Sequence, residues 1–100
     1  MHHLLTYHYT ADYLERRGAY RNVHIAKAWQ AQAQGLLLLA GAVGDPPDRA
    51  VYVFDVPSTA PIEAFVQDDP YYQNGLVARY EIQPWTTVVG KDAKTPIRPT

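Results

Sequence analysis

Over His3–Thr10 the side chains alternate, with Leu5, Tyr7 and Tyr9 on one face and Leu4, Thr6 and His8 on the other, which predicts a strand. A polar, charged stretch, Ala11 to Gly18, follows and reads as a connection. From Ala19 to Gln34 the residues turn to Ala, Gln, Lys and Arg, which favour helix. Tyr20, Val23, Lys27 and Ala31 make one stripe there, and Ile25, Ala28 and Trp29 an adjacent one, so the apolar face is broad. Gly35 stands where a helix-ending residue of positive φ belongs.

The run Leu36 to Val43 has no periodicity that separates a buried strand from a helix. Its shortness, the helix stop before it and the loop-forming Gly44-Asp45-Pro46-Pro47-Asp48 after it favour a strand buried on both faces, with Gly41 as the place for a turn. Ala50 to Val56 alternates again, with Tyr52, Phe54 and Val56 opposite Val51, Val53 and Asp55. A second helix follows, with Ser58 or Thr59 as its cap, Pro61 in its first turn, Glu63 at its positive end, and Ile62, Phe65 and Val66 as its apolar stripe. Pro70 ends that helix at or before Asp69. A short turn over Tyr71 to Gly75 leads to a last strand, Val77 to Trp85.

The order β-α-β-β-α-β predicts an α+β fold of ferredoxin-like type, an antiparallel sheet with both helices on one face. Residues 1–90 make the single domain, and the polar segment 91–100, with two prolines, reads as a C-terminal tail. The strands carry apolar or aromatic side chains on both faces, so the face without helices needs a cover. A second copy of the chain, packed sheet on sheet about a two-fold axis, is the economical source, and a homodimer is expected. The small size points the same way, since a domain of 100 residues buries only about 60–70% of its unfolded surface.

Composition narrows the function classes. A hydrophobic content of 47% argues against disorder, and a net charge of −1 gives no reason to expect nucleic acid or an anionic membrane as partner. No cysteine is present, which removes thiolate nucleophiles and thiolate metal sites. No apolar run is long enough for a helical span and no secretory leader is evident, so a cytoplasmic location is the expectation. His2 and His3 are adjacent and do not share a strand face, so no zinc site is expected. Glycine-rich nucleotide loops and serine nucleophile elbows are also missing.

What remains is acid–base chemistry. His24 is the best candidate for proton transfer, because imidazole is the side chain whose unperturbed form titrates near neutral pH, although a helical histidine is more often structural. Arg21 lies three residues before it, on nearly the same helix face, and a guanidinium there could bind a carboxylate, phenolate or enolate. Asp68 and Asp69 place carboxylates at the bend forced by Pro70. Negative charge is not favoured at a helix C-terminus, so a carboxylate there invites a cationic or hydrogen-bonding partner. Tyr7, His8, Tyr71 and Tyr72 are candidates to line a pocket with polar tips.

Several pieces together resemble the YciI-like (YCII-related) family: Arg21-x-x-His24-Ile25, Gly35-Leu36 leading to Ala40-Gly41, Asp69-Pro70-Tyr71 with Gly75, and Tyr80-Glu81-Ile82 before Pro84-Trp85. The chain departs from the family in its shorter loop from Gly44 to Arg49 and in Ala42, where a proline often stands. The resemblance implies a ferredoxin-like fold, a dimer of the α/β-barrel type, and a site built from a histidine and an aspartate. These map onto His24 and Asp69, which selects Asp69 over Asp68. The residue types and the resemblance together lead to the expectation of a cofactor-free lyase or isomerase acting on a small cyclic or aromatic-derived acid, enol or lactone. The alternative is a non-catalytic small-molecule binder or accessory protein of the same fold. Neither cofactor nor metal is expected.

Overall fold

The computed structural model describes residues 1–100. In chain order the elements are β1 (His2–Tyr9), α1 (Tyr13–Arg16), a 3-10 turn (Arg17–Ala19), α2 (Arg21–Ala33), β2 (Leu37–Gly44), β3 (Pro47–Asp55), α3 (Ala60–Gln67), α4 (Pro70–Gln73) and β4 (Val77–Pro84). The strands form one antiparallel sheet in the order β2-β3-β1-β4, which is the ferredoxin-like arrangement. No helix is long and apolar enough to cross a membrane.

Register explains where the core sits. Leu5 pairs with Tyr52 and Ile82, and Tyr7 with Ala50 and Tyr80, so these side chains share one face of the sheet. Leu5, Tyr7, Tyr52 and Phe54 are buried there with Ile62 and Val66 of α3 and Ala31 of α2. The turn after α2 depends on Gly35 at φ +79°, which lets the Leu36 amide reach the Ala31 carbonyl at 3.0 Å.

On the opposite face the register lines up Leu39, Val53 and Leu4 across three strands, and beside them Gly41, Val51 and Thr6. No helix covers this band. Leu39 is 73% exposed. A third row holds Val43, Arg49, His8 and Arg79. There His8 Nε2 lies 2.7 Å from Glu81, which also accepts from Arg79 at 2.9 Å.

Several expectations are corrected. The stretch from Ala11 to Gly18 is not a loose connection: Tyr13 is buried and anchors α1 and the 3-10 turn. β2 is an edge strand, and within the chain only Leu37 of it is buried, because α2 covers one of its faces only in part. It has a bulge between Leu37 and Leu39 rather than a turn at Gly41. Neither Ser58 nor Thr59 caps α3 with its hydroxyl. Residues after β4 fold back, with the Thr95 and Ile97 amides donating to the carbonyls of Thr87 and Val88 and Lys94 paired with Asp55 at 2.7 Å.

Candidate active site

Asp69 is the centre of the most buried polar cluster in the molecule. The following proline holds it extended, at φ −84° and ψ 124°, so α3 has already ended and α4 begins after it. The carboxylate therefore does not sit unfavourably at a helix C-terminus as the sequence suggested. It is the N-cap of α4 and accepts the Tyr71 amide at 3.1 Å. The same oxygen, Oδ1, lies 2.8 Å from His24 Nδ1, and Oδ2 accepts the Tyr7 hydroxyl at 2.7 Å. Asp69 is 0% exposed and His24 5%. These bonds tie β1, α2 and α4 together.

The donor count fixes the imidazole. Asp69 accepts from three directions, so Nδ1 carries the hydrogen, and in the neutral ring Nε2 presents its lone pair. Tyr52 Oη, 3.3 Å away, donates to Nε2. Burial raises the Tyr52 phenol well above its ordinary value, so it stays a donor. Burial, then the Asp69 charge, does the same to Tyr7. The imidazole lies flat on the Tyr71 ring, 3.8 Å between centroids and 10° between planes.

His24 borders a cleft of about 320 Å³ between α2 and the β2–β3 edge. The cleft exists because β2 turns small side chains, Ala40 and Ala42, toward α2, where larger ones would fill it. Thirteen of its eighteen lining residues are hydrophobic, so a ligand there is largely desolvated. Arg17, Arg21, Tyr13, Tyr52, Tyr71 and Trp29 bring the polar and aromatic groups.

The sequence-predicted residues divide. His24 and Asp69 meet, and Arg21 and Tyr71 reach the cleft with His24. Tyr7 does not: it lies behind Asp69, fully buried, and supports the carboxylate rather than touching the cleft. His8 does not either, because strand alternation turns it to the far face, where it pairs with Glu81. Tyr72 packs edge-on against Tyr80, away from the cleft. Sequence reasoning missed Tyr52, Tyr13 and Arg17. Tyr52 was legible in part, since it alternates with Phe54 and Val56. Tyr13 and Arg17 lay in the segment read as a connection. No group of His, Asp and Glu side chains is arranged to hold a metal ion.

A family model described as "YCII-related domain" matches residues 1–86. The chain belongs to the YCII-related family. Its fold is the ferredoxin-like one. Among solved structures, it is similar to 5-chloro-2-hydroxyhydroquinone dehydrochlorinase from Burkholderia phenoliruptrix, seen in complex with 2,5-dihydroxybenzoquinone. That match has 20% identity and a TM-score of 0.75, and covers 94% of this chain and 100% of that one. A NIPSNAP family protein from Agrobacterium tumefaciens matches with 14% identity and a TM-score of 0.55, over 93% of this chain and 95% of that one. No curated protein matches the chain.

Proposed function

We propose that this YCII-related protein is a cofactor-free lyase or isomerase acting on a small cyclic or aromatic-derived acid, enol or lactone. The observation that carries the reading is the His24–Asp69 pair, buried at 2.8 Å and bordering a mostly apolar cleft. His24 Nε2 takes a proton from a carbon next to a carbonyl, or from an enol hydroxyl conjugated with one, and the electron pair moves onto the carbonyl oxygen. In an isomerase the proton returns at another carbon. In a lyase the enolate expels a leaving group from the neighbouring carbon. Asp69 holds the imidazole in orientation and favours the cation that forms. Tyr52, displaced from Nε2 by substrate, is placed to donate to the developing oxyanion. The fold-mate that removes chloride from a hydroxyhydroquinone fits this class of step, and its bound dihydroxybenzoquinone is of the size the cleft admits.

Asp69 also supports a second reading. Its three bonds join separate elements, which is what a structural polar cluster in a non-catalytic binder does. His24→Asn separates the two. An asparagine amide can still donate to Asp69 from near the Nδ1 position, so the cluster persists while the base at Nε2 is lost. The measurement is proton exchange into small enolisable acids in deuterated water, followed by NMR. Wild type is expected to catalyse it, and His24→Asn to slow it by roughly 10²–10⁴-fold. Exchange at equal rates in the two proteins would leave the binder.

We also infer a homodimer, with a second copy on the uncovered sheet face. The support is the row of Leu39, Val53 and Leu4, which no helix covers: Leu39 is exposed and the other two are only partly buried.

A further inference from the structure

The cleft holds more positive charge than proton transfer at His24 needs. Arg17 and Arg21 border it with His24, and no aspartate or glutamate does. Five of the other seven cations find carboxylates: Arg16 with Asp12, Lys27 with Asp68, Arg49 with Asp48, Arg79 with Glu81 and Lys94 with Asp55; Lys91 and Arg98, which do not, lie after β4 and outside the cleft lining. Arg17 and Arg21 have none within ion-pair distance. In a chain whose net charge is −1, two uncompensated guanidiniums beside an apolar cleft are a local anion site.

Their placement is specific. The Arg17 guanidinium lies 5.5 Å from the Tyr13 ring centroid, with Nη1 3.4 Å from the Tyr13 hydroxyl. Tyr13 meets the Tyr71 ring edge-on at 5.7 Å, and Tyr71 is the ring on which His24 lies. Both guanidiniums act on that region: the charges of Arg21 and Arg17 oppose the rise that burial imposes on the Tyr71 hydroxyl. Opposite them, β2 presents an apolar wall of Leu37 and Ala40. The cleft is therefore polar and cationic at the Tyr13 end and apolar at the strand.

We propose that Arg17 and Arg21 form an anion-recognition subsite, and that its ligand is a one-ring monoanion, a carboxylate or a phenolate. The anionic group meets the guanidiniums and the ring lies against Tyr71 and the β2 wall. Planar delocalised anions match the guanidinium fork. A cleft of about 320 Å³ stands at the low end of small-molecule sites, which span about 300–1,000 Å³, and so favours one ring over a nucleotide. This deepens the proposal above and rests on it in taking the cleft beside His24 as the substrate site. It removes neutral lactones from the substrate class and adds Arg17 as a specificity residue.

The test is binding without turnover, read by amide NMR titration of the full chain. The probes are benzoate for the carboxylate, 4-nitrophenolate for the phenolate and benzamide as the neutral isostere. At least one anion is expected to bind at least about tenfold more tightly than benzamide, as a charge-assisted hydrogen bond implies, with shifts at Ala40, Gly41 and Tyr71. R17Q/R21Q is expected to bring anion and amide to the same affinity. Lys27→Gln, which alters a charge paired with Asp68 outside the cleft, is expected to leave the preference intact. Equal binding of anions and benzamide to wild type overturns the subsite. So does a preference that survives in R17Q/R21Q, or no binding of any probe at millimolar concentration. If anions bind by this pattern while wild type shows no proton exchange, the subsite stands and the catalytic reading falls.

Discussion

Asp69→Asn is expected to lower turnover by roughly 10²–10⁴-fold and stability by about 1–3 kcal/mol. The geometry assigns each loss. An asparagine carbonyl at the Oδ1 position still accepts the Tyr71 amide and His24 Nδ1, whereas the reverse orientation sets two donors against each other. The amide nitrogen then faces Tyr7, whose hydroxyl hydrogen loses its acceptor in a fully buried site. That unsatisfied donor accounts for the stability loss. The rate loss has another source, because the tautomer survives but the negative charge that favours imidazolium is gone.

A consequence separates the two losses. Adding Tyr7→Phe to Asp69→Asn exchanges the stranded hydroxyl hydrogen for a stranded amide hydrogen on the asparagine, so the double variant is expected to melt close to the Asp69→Asn protein rather than lower by the full cost of Tyr7→Phe. In the wild-type background Tyr7→Phe alone is expected to cost about 1.5–3 kcal/mol, the range for a hydrogen bond to a charged group. For a domain of this size each kcal/mol moves the melting temperature by roughly 4–8 °C, so circular dichroism resolves the cycle. Additive losses would show that Tyr7 and Asp69 do not interact. Turnover is not expected to recover in the double variant, since the charge remains absent. Because Asp69→Asn weakens the fold under either functional reading, a stable melting point is no criterion for an enzyme here, and His24→Asn is the cleaner discriminator.

The parts of this architecture that were legible are those set by local rules. Alternation in β1 and β3, the glycine after α2 and the prolines around α3 placed every strand and both longer helices within a few residues. The pairing of His24 with Asp69 was open to sequence only through resemblance, because 45 residues separate them and no local rule measures that distance. Helix periodicity favoured Val23 as the inward position, yet His24 points in and Val23 is exposed, since Asp69 repays the burial of the imidazole. His8 was misplaced for the opposite reason. A strand residue near a site faces the site or turns away from it, and only the sheet's packing decides which. Arg17 and Tyr13 were lost with the segment that carries them, where short helical turns leave little periodicity to read.

Leu39→Asp is expected to convert the protein from dimer to monomer, with the sedimentation mass falling from twice to once the 11.3 kDa of the chain. What covers Leu39 decides the outcome. It is 73% exposed in the single chain, so an aspartate there costs an isolated chain little and removes apolar surface from water. In a two-fold dimer packed through the uncovered sheet face, the same change buries one unpaired carboxylate per copy in the row shared with Val53 and Leu4. The penalty, on the order of 3 kcal/mol or more, lowers association at least about a hundredfold. Thermal melts give an independent reading. Dimerisation makes the melting temperature rise with protein concentration, so wild type is expected to show that rise and Leu39→Asp to lose it. If wild type sediments as one chain at micromolar concentration, the apolar row is ordinary exposed surface. If Leu39→Asp stays dimeric, the copies meet through another face. Either result removes this interface, while the His24–Asp69 pair, made within one chain, is untouched by both.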